Sequence, residues 1–465
     1  MVDVAAITLP PPGGRVHFVG IGGAGMVGLA RILIAQSYRV SGSDRSDAPA
    51  LATLRGLGAT VQVGHDAAYI ADAALVVISA AIRDDNAEVA AARARGTPVL
   101  KRAALLGALA NARRCIAVAG THGKSTTSGM VAYILSTLGH DPLFVIGAEV
   151  RDLGTSARNG AGPLAVVEAD EYDYSFLRLT PDVAVVTNIE HDHPDIFPDA
   201  LTYMRAFATF AGQIRSGGTL ITNGDDEAAA ALADRTGDAI VAETVGMSDG
   251  AAWQVIAAAD GMMRLLRHGQ EIGGAALAVA GTHNMRNAAM AVAACAAVGV
   301  DPRKALQTVA SYRGVGRRFE EIGEVAGVTV IDDYAHHPTE VRATLAAARS
   351  RYPGRRIVAV FQPHTFSRAA LYAREFAAAL SDADLAVVTD IYAAREPDTG
   401  VVHARDIAGA IAGGRGIYGG DLTATGEYLM QHIEPGDVVL TLGAGDITSV
   451  GPAVLRALGE RAVAR

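Results

Sequence analysis

Residues 115–127 read Cys-Ile-Ala-Val-Ala-Gly-Thr-His-Gly-Lys-Ser-Thr-Thr, an apolar run that passes directly into a glycine-rich turn. The apolar run predicts a buried strand, and residues 125–138 predict a helix that follows the turn. A phosphate-binding loop needs backbone N–H groups around the phosphates, a lysine for the β- and γ-phosphates and a hydroxyl for Mg²⁺. Gly123, Lys124 and Ser125 provide these groups. The stretch therefore predicts a nucleoside triphosphate site between a strand and a helix.

The loop departs from the usual P-loop spacing, because Val118 stands where the first glycine is expected. Lysine is rare in this chain, with Lys101, Lys124 and Lys304 forming the full set, so a lysine inside a glycine-rich loop stands out. Strand, turn, lysine and helix agree with one another. The nucleotide site remains the interpretation despite the missing glycine.

Two further apolar runs lead into glycine-rich turns, at 16–26 and at 438–447. Short β-branched runs alternate with Ala/Leu/Arg stretches of helical length, which favours parallel sheets with crossover helices. We predict an α/β protein of three domains, each built on a mostly parallel sheet: Rossmann-like at the N-terminus, a P-loop domain in the centre, and Rossmann-like at the C-terminus. The expected domains span 1–112, 113–313 and 314–465. The predicted strands are 16–19, 75–79, 115–119, 164–168, 183–187, 357–361, 385–389 and 438–442, with a small β-meander at 244–280.

Composition limits the possible functions. Of the 465 residues, 50% are hydrophobic and 19% are charged, which is enough to build several cores and argues against disorder. The net charge of −9 makes the chain a poor general ligand for nucleic acids and anionic membranes. Its longest uncharged apolar run, 288–300, is shorter than the ~20 residues that span a bilayer. We expect no nucleic-acid partner and no membrane insertion.

The compartment follows from similar arguments. The first residues include an early acid and a proline run, which is not a signal-peptide pattern. The two cysteines, Cys115 and Cys295, each lie in an apolar string and are expected to be buried and reduced. We therefore expect a cytoplasmic protein.

The motif Gly-Ile-Gly-Gly-Ala-Gly at 20–25 follows a predicted strand and precedes a predicted helix. This is the arrangement of a dinucleotide fingerprint, in which glycines let the backbone approach a pyrophosphate at a helix N-terminus. Asp44 lies nineteen residues beyond Gly25, after a predicted strand at 38–41. Three interpretations stay open from these residues alone: a nicotinamide-dependent oxidoreductase, a site for another pyrophosphate ligand, and a purely structural glycine turn.

Acidic and imidazole side chains follow two strands in the middle of the chain. The stretch Glu-Ala-Asp-Glu-Tyr-Asp at 168–173 follows one strand, and Asn-Ile-Glu-His-Asp-His at 188–193 follows the next. Because ligands gather at the carboxyl edge of a parallel sheet, Glu168 and His193 are expected beside the P-loop. Mg²⁺ prefers a few carboxylate or hydroxyl ligands together with phosphates. The alternative is a solvated acidic loop and a histidine that belongs to a turn.

Other polar clusters are weaker signals by themselves. Gly-Thr-His-Asn-Met-Arg-Asn at 281–287 precedes an alanine-rich helix and indicates a helix cap with side chains that face a ligand. The C-terminal third carries Arg-Arg-Phe at 317–319, Asp-Asp-Tyr-Ala-His-His-Pro at 332–338 and Phe-Gln-Pro-His-Thr-Phe-Ser-Arg at 361–368. Basic and imidazole groups at strand ends suit an anionic substrate or a charged transition state.

Together these motifs resemble the Mur ligase family over essentially the whole chain. The most specific are GTHGKST at 120–126, EADE at 168–171, TNIEHDH at 187–193, GTHNMRN at 281–287, DDYAHHPTE at 332–340 and FQPHTFSR at 361–368. The resemblance implies three domains, for a UDP-sugar, for ATP and for an incoming amino acid, in that order. The glycine loop at 20–26 would then hold the diphosphate of the sugar nucleotide instead of NAD.

The resemblance also implies roles for individual residues. At the sugar nucleotide it implies Gly22, Gly23, Ala24, Gly25, Met26, Ser43 and Asp44. At ATP it implies Gly120, Thr121, His122, Gly123, Lys124, Ser125 and Thr126, with His283 and Asn287 near the adenosine. It implies Ser125 and Glu168 as ligands of one Mg²⁺, and Glu168 and His193 at a second. At the reaction centre it implies Lys124, Arg318, Tyr334, His336 and Arg368, with Thr365 standing where some relatives carry arginine.

The implied activity is ATP-dependent amide formation in peptidoglycan precursor synthesis, with UDP-N-acetylmuramate and L-alanine as substrates. ATP would convert the sugar carboxylate to an acyl phosphate, which the amine of the amino acid would attack. Lys124, two Mg²⁺ ions and Arg318 would neutralise the charge that builds in both steps. His336 or a nearby group would accept a proton from the amine.

Three alternatives remain. The nearest is a peptide ligase of the same family that attaches a recycled tripeptide to the same sugar nucleotide. Tyr334 favours the alanine-adding activity, because the peptide ligases tend to carry phenylalanine there. A nicotinamide-dependent oxidoreductase would use the glycines at 20–25 and Asp44. A non-catalytic nucleotide-binding module is disfavoured because Lys124, Ser125, Glu168 and His193 are all present.

Overall fold

The computed structural model describes residues 9–258, 261–394, 396–398 and 400–463. These residues form an α/β protein with three mostly parallel sheets, as the alternation of strands and helices predicts. Within the described ranges, no helix is both long enough and apolar enough to cross a membrane.

The first sheet is entirely parallel. Its strands are β1 (Arg15–Val19), β2 (Arg39–Asp44), β3 (Thr60–Val63), β4 (Leu75–Ile78) and β5 (Val99–Lys101). The strand order is β3-β2-β1-β4-β5, which matches the first five strands of the Rossmann order. Its helices are α1 (Ala24–Ala35), α2 (Pro49–Gly56), α3 (Ala87–Ala94) and α4 (Arg102–Asn111).

The second sheet has ten strands. They are β6 (Arg114–Ala119), β7 (Leu143–Val150), β8 (Thr155–Arg158), β9 (Leu164–Glu168), β10 (Val183–Val186), β11 (Thr219–Asn223), β12 (Val241–Gly246), β13 (Trp253–Ala257), β14 (Met263–Arg267) and β15 (Gln270–Ala275). Their order is β15-β14-β13-β12-β11-β10-β6-β9-β7-β8, and in the described part of the chain the antiparallel pairs lie only at the two edges. The helices are α5 (Lys124–Thr137), α6 (Ala200–Ala211), α7 (Glu227–Ala233), α8 (Thr282–Ala297) and α9 (Pro302–Val309).

The third sheet has six strands in the order β16-β17-β21-β18-β19-β20. They are β16 (Glu320–Val325), β17 (Val328–Asp333), β18 (Ile357–Phe361), β19 (Leu385–Thr389), β20 (Gly416–Gly420) and β21 (Val438–Leu442). Among the residues that the structure describes here, only the β16–β17 pair is antiparallel. The helices are α10 (Pro338–Arg351), α11 (Phe366–Leu380), α12 (Ala404–Ala410), α13 (Leu422–His432) and α14 (Val450–Val463).

The chain divides into two compact units. The first contains the residues up to Asp192 with Ile196–Ala278 and Met285–Arg313, and the second contains His193–Asp195, Val279–Asn284 and the chain from Gly314 onward. The first unit holds two sheets on one continuous apolar core, in which Leu29 of α1 and Val145 of β7 belong to the same buried cluster. The three-domain division, with its boundary at 112, stays a prediction.

The predicted meander at 244–280 is present, but it is not a separate sheet. Strands β13, β14 and β15 are antiparallel to one another, as predicted. Val245 of β12 pairs in parallel with Trp253 of β13, and this pairing joins the meander to the edge of the central sheet. Trp253 is completely buried at this junction, which gives the extension an apolar anchor.

Candidate active site

The P-loop joins β6 to α5, and the chain that follows β10 holds its backbone in place. The N–H of Thr121 donates to the Asn188 carbonyl oxygen at 3.0 Å, and the N–H of His122 donates to Asn188 Oδ1 at 2.9 Å. Gly120 has a φ of 129°, and a Cβ there would lie 2.0 Å from Thr187 Oγ1, so only glycine fits. Thr187 and Asn188, directly after β10, therefore shape the loop, although the sequence did not single them out for this role.

Lys124 is the first residue of α5 and has a fixed ionic partner. Its ammonium donates to the carbonyl oxygens of Gly120 at 2.6 Å and Thr121 at 3.1 Å, and it pairs with Glu171 Oε2 at 2.8 Å. Glu171 is completely buried, and the hydroxyl of Tyr203 donates to its Oε1 at 3.1 Å. Burial opposes the charge on Lys124, but the carboxylates of Glu171, Asp170 and Glu168 together outweigh burial and raise the pKa of the ammonium above its ordinary value. Lys124 is thus a permanent positive charge in the loop.

Ser125 and Glu168 place two oxygen atoms that could bind a metal ion beside Lys124. The Ser125 hydroxyl donates to Glu168 Oε1 at 3.0 Å, and the N–H of Gly147 donates to Oε2 at 2.7 Å. Glu168 is the last residue of β9 and pairs in register with Val118 of β6, which places its carboxylate at the edge where the P-loop begins. A carboxylate and a hydroxyl at a phosphate-binding loop fit the ligand preference of Mg²⁺.

The remaining nucleotide residues divide between the two units. Asn287 of α8 lies against the P-loop, because a Cβ on Gly123 would be 2.9 Å from Asn287 Oδ1. Thr126 lies in the first turn of α5, and its carbonyl oxygen is 3.5 Å from the Tyr312 hydroxyl. His283 belongs to the second unit, so its role near the adenosine stays a prediction.

The glycine loop after β1 is built around Asp44 and Ser43. The N–H of Gly22 donates to Asp44 Oδ2 at 2.8 Å, and a Cβ on Gly22 would lie 2.9 Å from the same oxygen. The N–H groups of Gly20 and Ile21 both donate to the carbonyl oxygen of Ser43, at 2.8 and 3.0 Å. The end of β2 therefore dictates the conformation of the loop.

Two of the predicted sugar-nucleotide residues direct their side chains away from the loop surface. The Ser43 hydroxyl donates to Oε1 of the completely buried Glu88 at 2.7 Å, and Met26 lies in the apolar core. Burial disfavours the charge on Glu88, but hydrogen bonds from His17, Ser43 and other partners hold its pKa below the ordinary value. The side-chain contacts of Ser43 and Met26 favour structural roles, and their substrate contacts stay predictions.

One of the other loop residues, Gly25, lies beside a cation that the sequence does not mark. Gly23 is the N-cap of α1, and Ala24 is its first residue. A Cβ on Gly25 would lie 2.9 Å from Nη1 of Arg102, the first residue of α4. No local pattern marks Arg102, because it is far from Gly25 in the sequence and the fold alone brings the two together.

In the second unit, Arg318, which precedes β16, comes together with Tyr334 and His336, which follow β17. The Arg318 guanidinium lies 5.2 Å from the centre of the Tyr334 ring, and its Nη1 donates to Glu340 Oε1 at 3.0 Å. His336 Nδ1 lies 2.9 Å from the Tyr334 carbonyl oxygen and 3.2 Å from Glu340 Oε2. Burial raises the pKa of the adjacent Asp333 to about 6. Glu340 stands inside the DDYAHHPTE motif, yet its contacts were not predicted.

Arg368 lies on α11 beside two imidazoles. Its Nη1 is 3.2 Å from His364 Nδ1, and its Nη2 is 3.5 Å from His193 Nδ1. Thr365 caps this helix, because its Oγ1 accepts a hydrogen bond from the Arg368 N–H at 3.5 Å. The backbone of Thr365 has a positive φ of 63°. His193 thus lies with Arg368 in the second unit, and its predicted place beside Glu168 as a metal ligand stays a prediction.

Three protein-family models together match most of the chain. Residues 15–114 match the catalytic domain of the Mur ligase family, residues 118–295 match the Mur ligase middle domain, and residues 317–445 match the Mur ligase glutamate ligase domain. The UDP-N-acetylmuramate–L-alanine ligase of Frankia casuarinae is 44% identical over 96% of this chain and 98% of its own. That of Thermobifida fusca is 46% identical over 96% of this chain and 97% of its own.

Two solved structures of Mur-type ligases superpose on almost the whole chain. The UDP-N-acetylmuramate–alanine ligase of Thermotoga maritima superposes with a TM-score of 0.81 at 28% identity, over 96% of this chain and 99% of that one. A murein peptide ligase of Psychrobacter arcticus superposes with a TM-score of 0.73 at 26% identity, over the same shares of the two chains. The sequence motifs, the P-loop geometry and these matches lead to one conclusion: the chain belongs to the Mur ligase family.

Proposed function

We propose that this protein is an ATP-dependent ligase that joins L-alanine to the carboxylate of UDP-N-acetylmuramate through an acyl phosphate. The observation that carries the proposal is the grouping of Lys124, Ser125 and Glu168 at one edge of the central sheet. The choice of substrates is supported by relatives at 44% and 46% identity that are named for this reaction and match almost end to end.

Carboxylate activation needs positive charge at the phosphate that is transferred. Lys124 provides it, and its pairing with the buried Glu171 keeps the ammonium protonated and in place. Ser125 and Glu168 would hold Mg²⁺, which supplies further charge to the phosphate oxygens when it is bound. Asn188 and Thr187 keep the loop backbone in a single conformation. The chain thus orients the phosphates without having to reorganise during the step.

The sugar nucleotide would bind at the first glycine loop. The turn ends at Gly23, where α1 begins, so free N–H groups and the positive end of the helix dipole are available to a diphosphate. Gly22 must lack a side chain because Asp44 fills the space beside it. Arg102 at the start of α4 adds a cationic group next to Gly25.

Amide formation would take place with residues of the third sheet. Arg318 and Arg368 are cations that can neutralise the carboxylate of the amino acid and the charge of the tetrahedral intermediate. His336 would accept a proton from the incoming ammonium, because only the neutral amine can attack the acyl carbon. The amide product, ADP and inorganic phosphate complete the reaction.

The test is phosphate release with UDP-N-acetylmuramate and ATP, with one acceptor added at a time. We expect release with L-alanine and far less with the tripeptide that a murein peptide ligase would attach. A faster reaction with the tripeptide would show that the protein belongs with the peptide ligases, to which its fold is also similar.

Ligand-induced stabilisation provides an independent test. A non-hydrolysable ATP analogue and UDP-N-acetylmuramate should each raise the melting temperature, because each binds the native state only. NADH and NADPH should leave it unchanged. Stabilisation by a nicotinamide cofactor alone would instead support the oxidoreductase alternative.

A further inference from the structure

Glu340 is not among the predicted site residues, yet it contacts two of them, Arg318 and His336. It lies in the first turn of α10, and it is buried, with 8% of its surface exposed. Its Oε1 accepts a hydrogen bond from Arg318 Nη1 at 3.0 Å. Its Oε2 accepts the backbone N–H of His336 at 3.0 Å and lies 3.2 Å from His336 Nδ1. The two carboxylate oxygens therefore have separate partners.

The surroundings of His336 determine where its ring proton lies. Nδ1 contacts the Tyr334 carbonyl oxygen at 2.9 Å and the Glu340 carboxylate at 3.2 Å. A carbonyl and an ionised carboxylate can only accept hydrogen bonds, so Nδ1 carries the proton in the neutral ring. The lone pair is then on Nε2, which is the nitrogen able to take up a proton.

We propose that Glu340 is a positioning residue that makes His336 Nε2 the proton acceptor for the incoming amino acid. The proposal rests on the ligase function described above. Arg318 anchors one carboxylate oxygen, which presents the other to His336. The contact between this oxygen and Nδ1 holds the imidazole ring in one orientation. This arrangement is the same physical device as the carboxylate that orients and supports a catalytic histidine in hydrolases.

The protons in this step balance. The ammonium of the amino acid loses one proton to His336 Nε2, and its nitrogen lone pair forms the new bond to the acyl carbon. The C–O bond to phosphate breaks as the tetrahedral intermediate collapses. The second proton of the nitrogen leaves with the phosphate, and His336 returns its proton to solvent.

Glu340→Gln is the informative change because it preserves shape and removes charge. If the amide oxygen keeps the contact with Arg318, the amide NH₂ faces His336, where it can donate to Nδ1 but can no longer accept the backbone N–H. An NH₂ facing Nδ1 favours the tautomer in which Nε2 carries the ring proton. Nε2 then has no lone pair with which to accept a proton from the amine. We expect kcat with L-alanine to fall by about 10- to 100-fold, less than the loss in hydrolases because the Tyr334 carbonyl still favours the correct tautomer. The KM values for ATP and UDP-N-acetylmuramate should not change.

Hydroxylamine separates this role from a structural one. It is largely unprotonated at neutral pH, so it can attack the acyl phosphate without a protein base. The rate with hydroxylamine should be the same in Glu340→Gln and in the wild type. Equal losses with both amines would overturn the proposal, since they would indicate damage to the site as a whole. Failure of wild-type protein to use L-alanine would instead count against the ligase function itself.

A double variant completes the test. If Glu340 acts through His336, adding Glu340→Gln to His336→Ala should cause no further loss with L-alanine. A multiplicative loss would overturn the proposal. Glu375→Gln, at an exposed position on α11, is the matched control and should keep wild-type kinetics. If Glu340→Gln melts well below the wild type, Glu340→Asp provides the same comparison. Its shorter carboxylate keeps the charge but no longer reaches His336. Equal losses with L-alanine and hydroxylamine would again overturn the proposal.

Discussion

Lys124 illustrates how one residue can serve both activity and stability. Its ammonium is the partner of the completely buried Glu171 carboxylate. Removing one member of a buried ion pair typically costs about 3–5 kcal/mol. We therefore expect Lys124→Ala to lose that much stability in denaturant unfolding, in addition to a roughly 10²- to 10³-fold loss of kcat.

The double variant Lys124→Ala/Glu171→Gln separates the two effects. Neutralising the orphaned carboxylate should restore most of the free energy of unfolding, while kcat stays low because the cation is still absent. A double variant as unstable as the single one would contradict the ion-pair argument. A folded variant with near-normal kcat would contradict the placement of ATP at this loop.

Asp333 makes stability depend on pH. Burial raises its pKa from an ordinary 3.8 to about 6. Between these values the folded protein binds more protons than the unfolded chain, so this carboxyl lowers stability as pH rises through the window. A shift of two units corresponds to about 3 kcal/mol.

Asp333→Asn should remove that dependence. Relative to the wild type, its free energy of unfolding should improve by about 3 kcal/mol between about pH 4 and about pH 7. Denaturant titrations of both proteins at several pH values give this difference directly. A constant difference across the range would mean that Asp333 is ionised as readily in the folded protein as in the unfolded chain.

At the scale of elements, two helical glycines should respond in opposite ways to the same substitution. A Cβ on Gly107 of α4 would lie 2.5 Å from the carbonyl oxygen of Arg178, whereas a Cβ on Gly459 of α14 meets nothing within 4 Å. Alanine in a helix is favoured over glycine by up to about 1 kcal/mol. We expect Gly459→Ala to stabilise the protein and Gly107→Ala to destabilise it, as measured by thermal melting. Stabilisation by both would show that α4 can move away from Arg178 at little cost.

The β1–α1 turn gives a similar contrast between neighbouring glycines. Gly22→Val should weaken binding of UDP-N-acetylmuramate and leave ATP binding unchanged, because its side chain would displace Asp44. Gly23→Ala is the steric control, since a Cβ there has no neighbour closer than 3.6 Å, and it should melt like the wild type. Calorimetric titration of the Gly22 variant with each ligand decides the matter. Equal losses for both ligands would point to misfolding instead.

At the scale of the whole molecule, the two compact units predict which fragments fold. The chain from residue 314 onward contains its own apolar clusters on both faces of the third sheet. Helices α1 and α4 of the first sheet instead pack on elements of the central sheet. We expect fragment 314–465 and fragment 1–313 each to melt cooperatively, and fragment 1–112 to lack a cooperative transition by circular dichroism. A cooperative 1–112 fragment would support a true domain boundary at 112.

The sequence alone determined the features that depend on neighbouring residues. The strands at 164–168, 357–361, 385–389 and 438–442 are observed with the predicted bounds, because runs of β-branched residues bounded by polar turns are local signals. The P-loop was identifiable for the same reason, since glycine, lysine and hydroxyl follow one another along the chain. The resemblance to the Mur ligase family rests on such short motifs, and the comparisons confirm it.

Only the tertiary structure determined the partners of these residues. Glu171 reaches Lys124 across 47 positions of sequence because β9 lies next to β6, and this strand order is not written in either segment. Glu340 likewise meets Arg318 only because β17 brings the start of α10 back to it. A buried carboxylate has no distinctive local pattern, and its energetic weight comes from which charge the fold places beside it. Long-range pairing of this kind is decided by how the sheets assemble and bury their shared core.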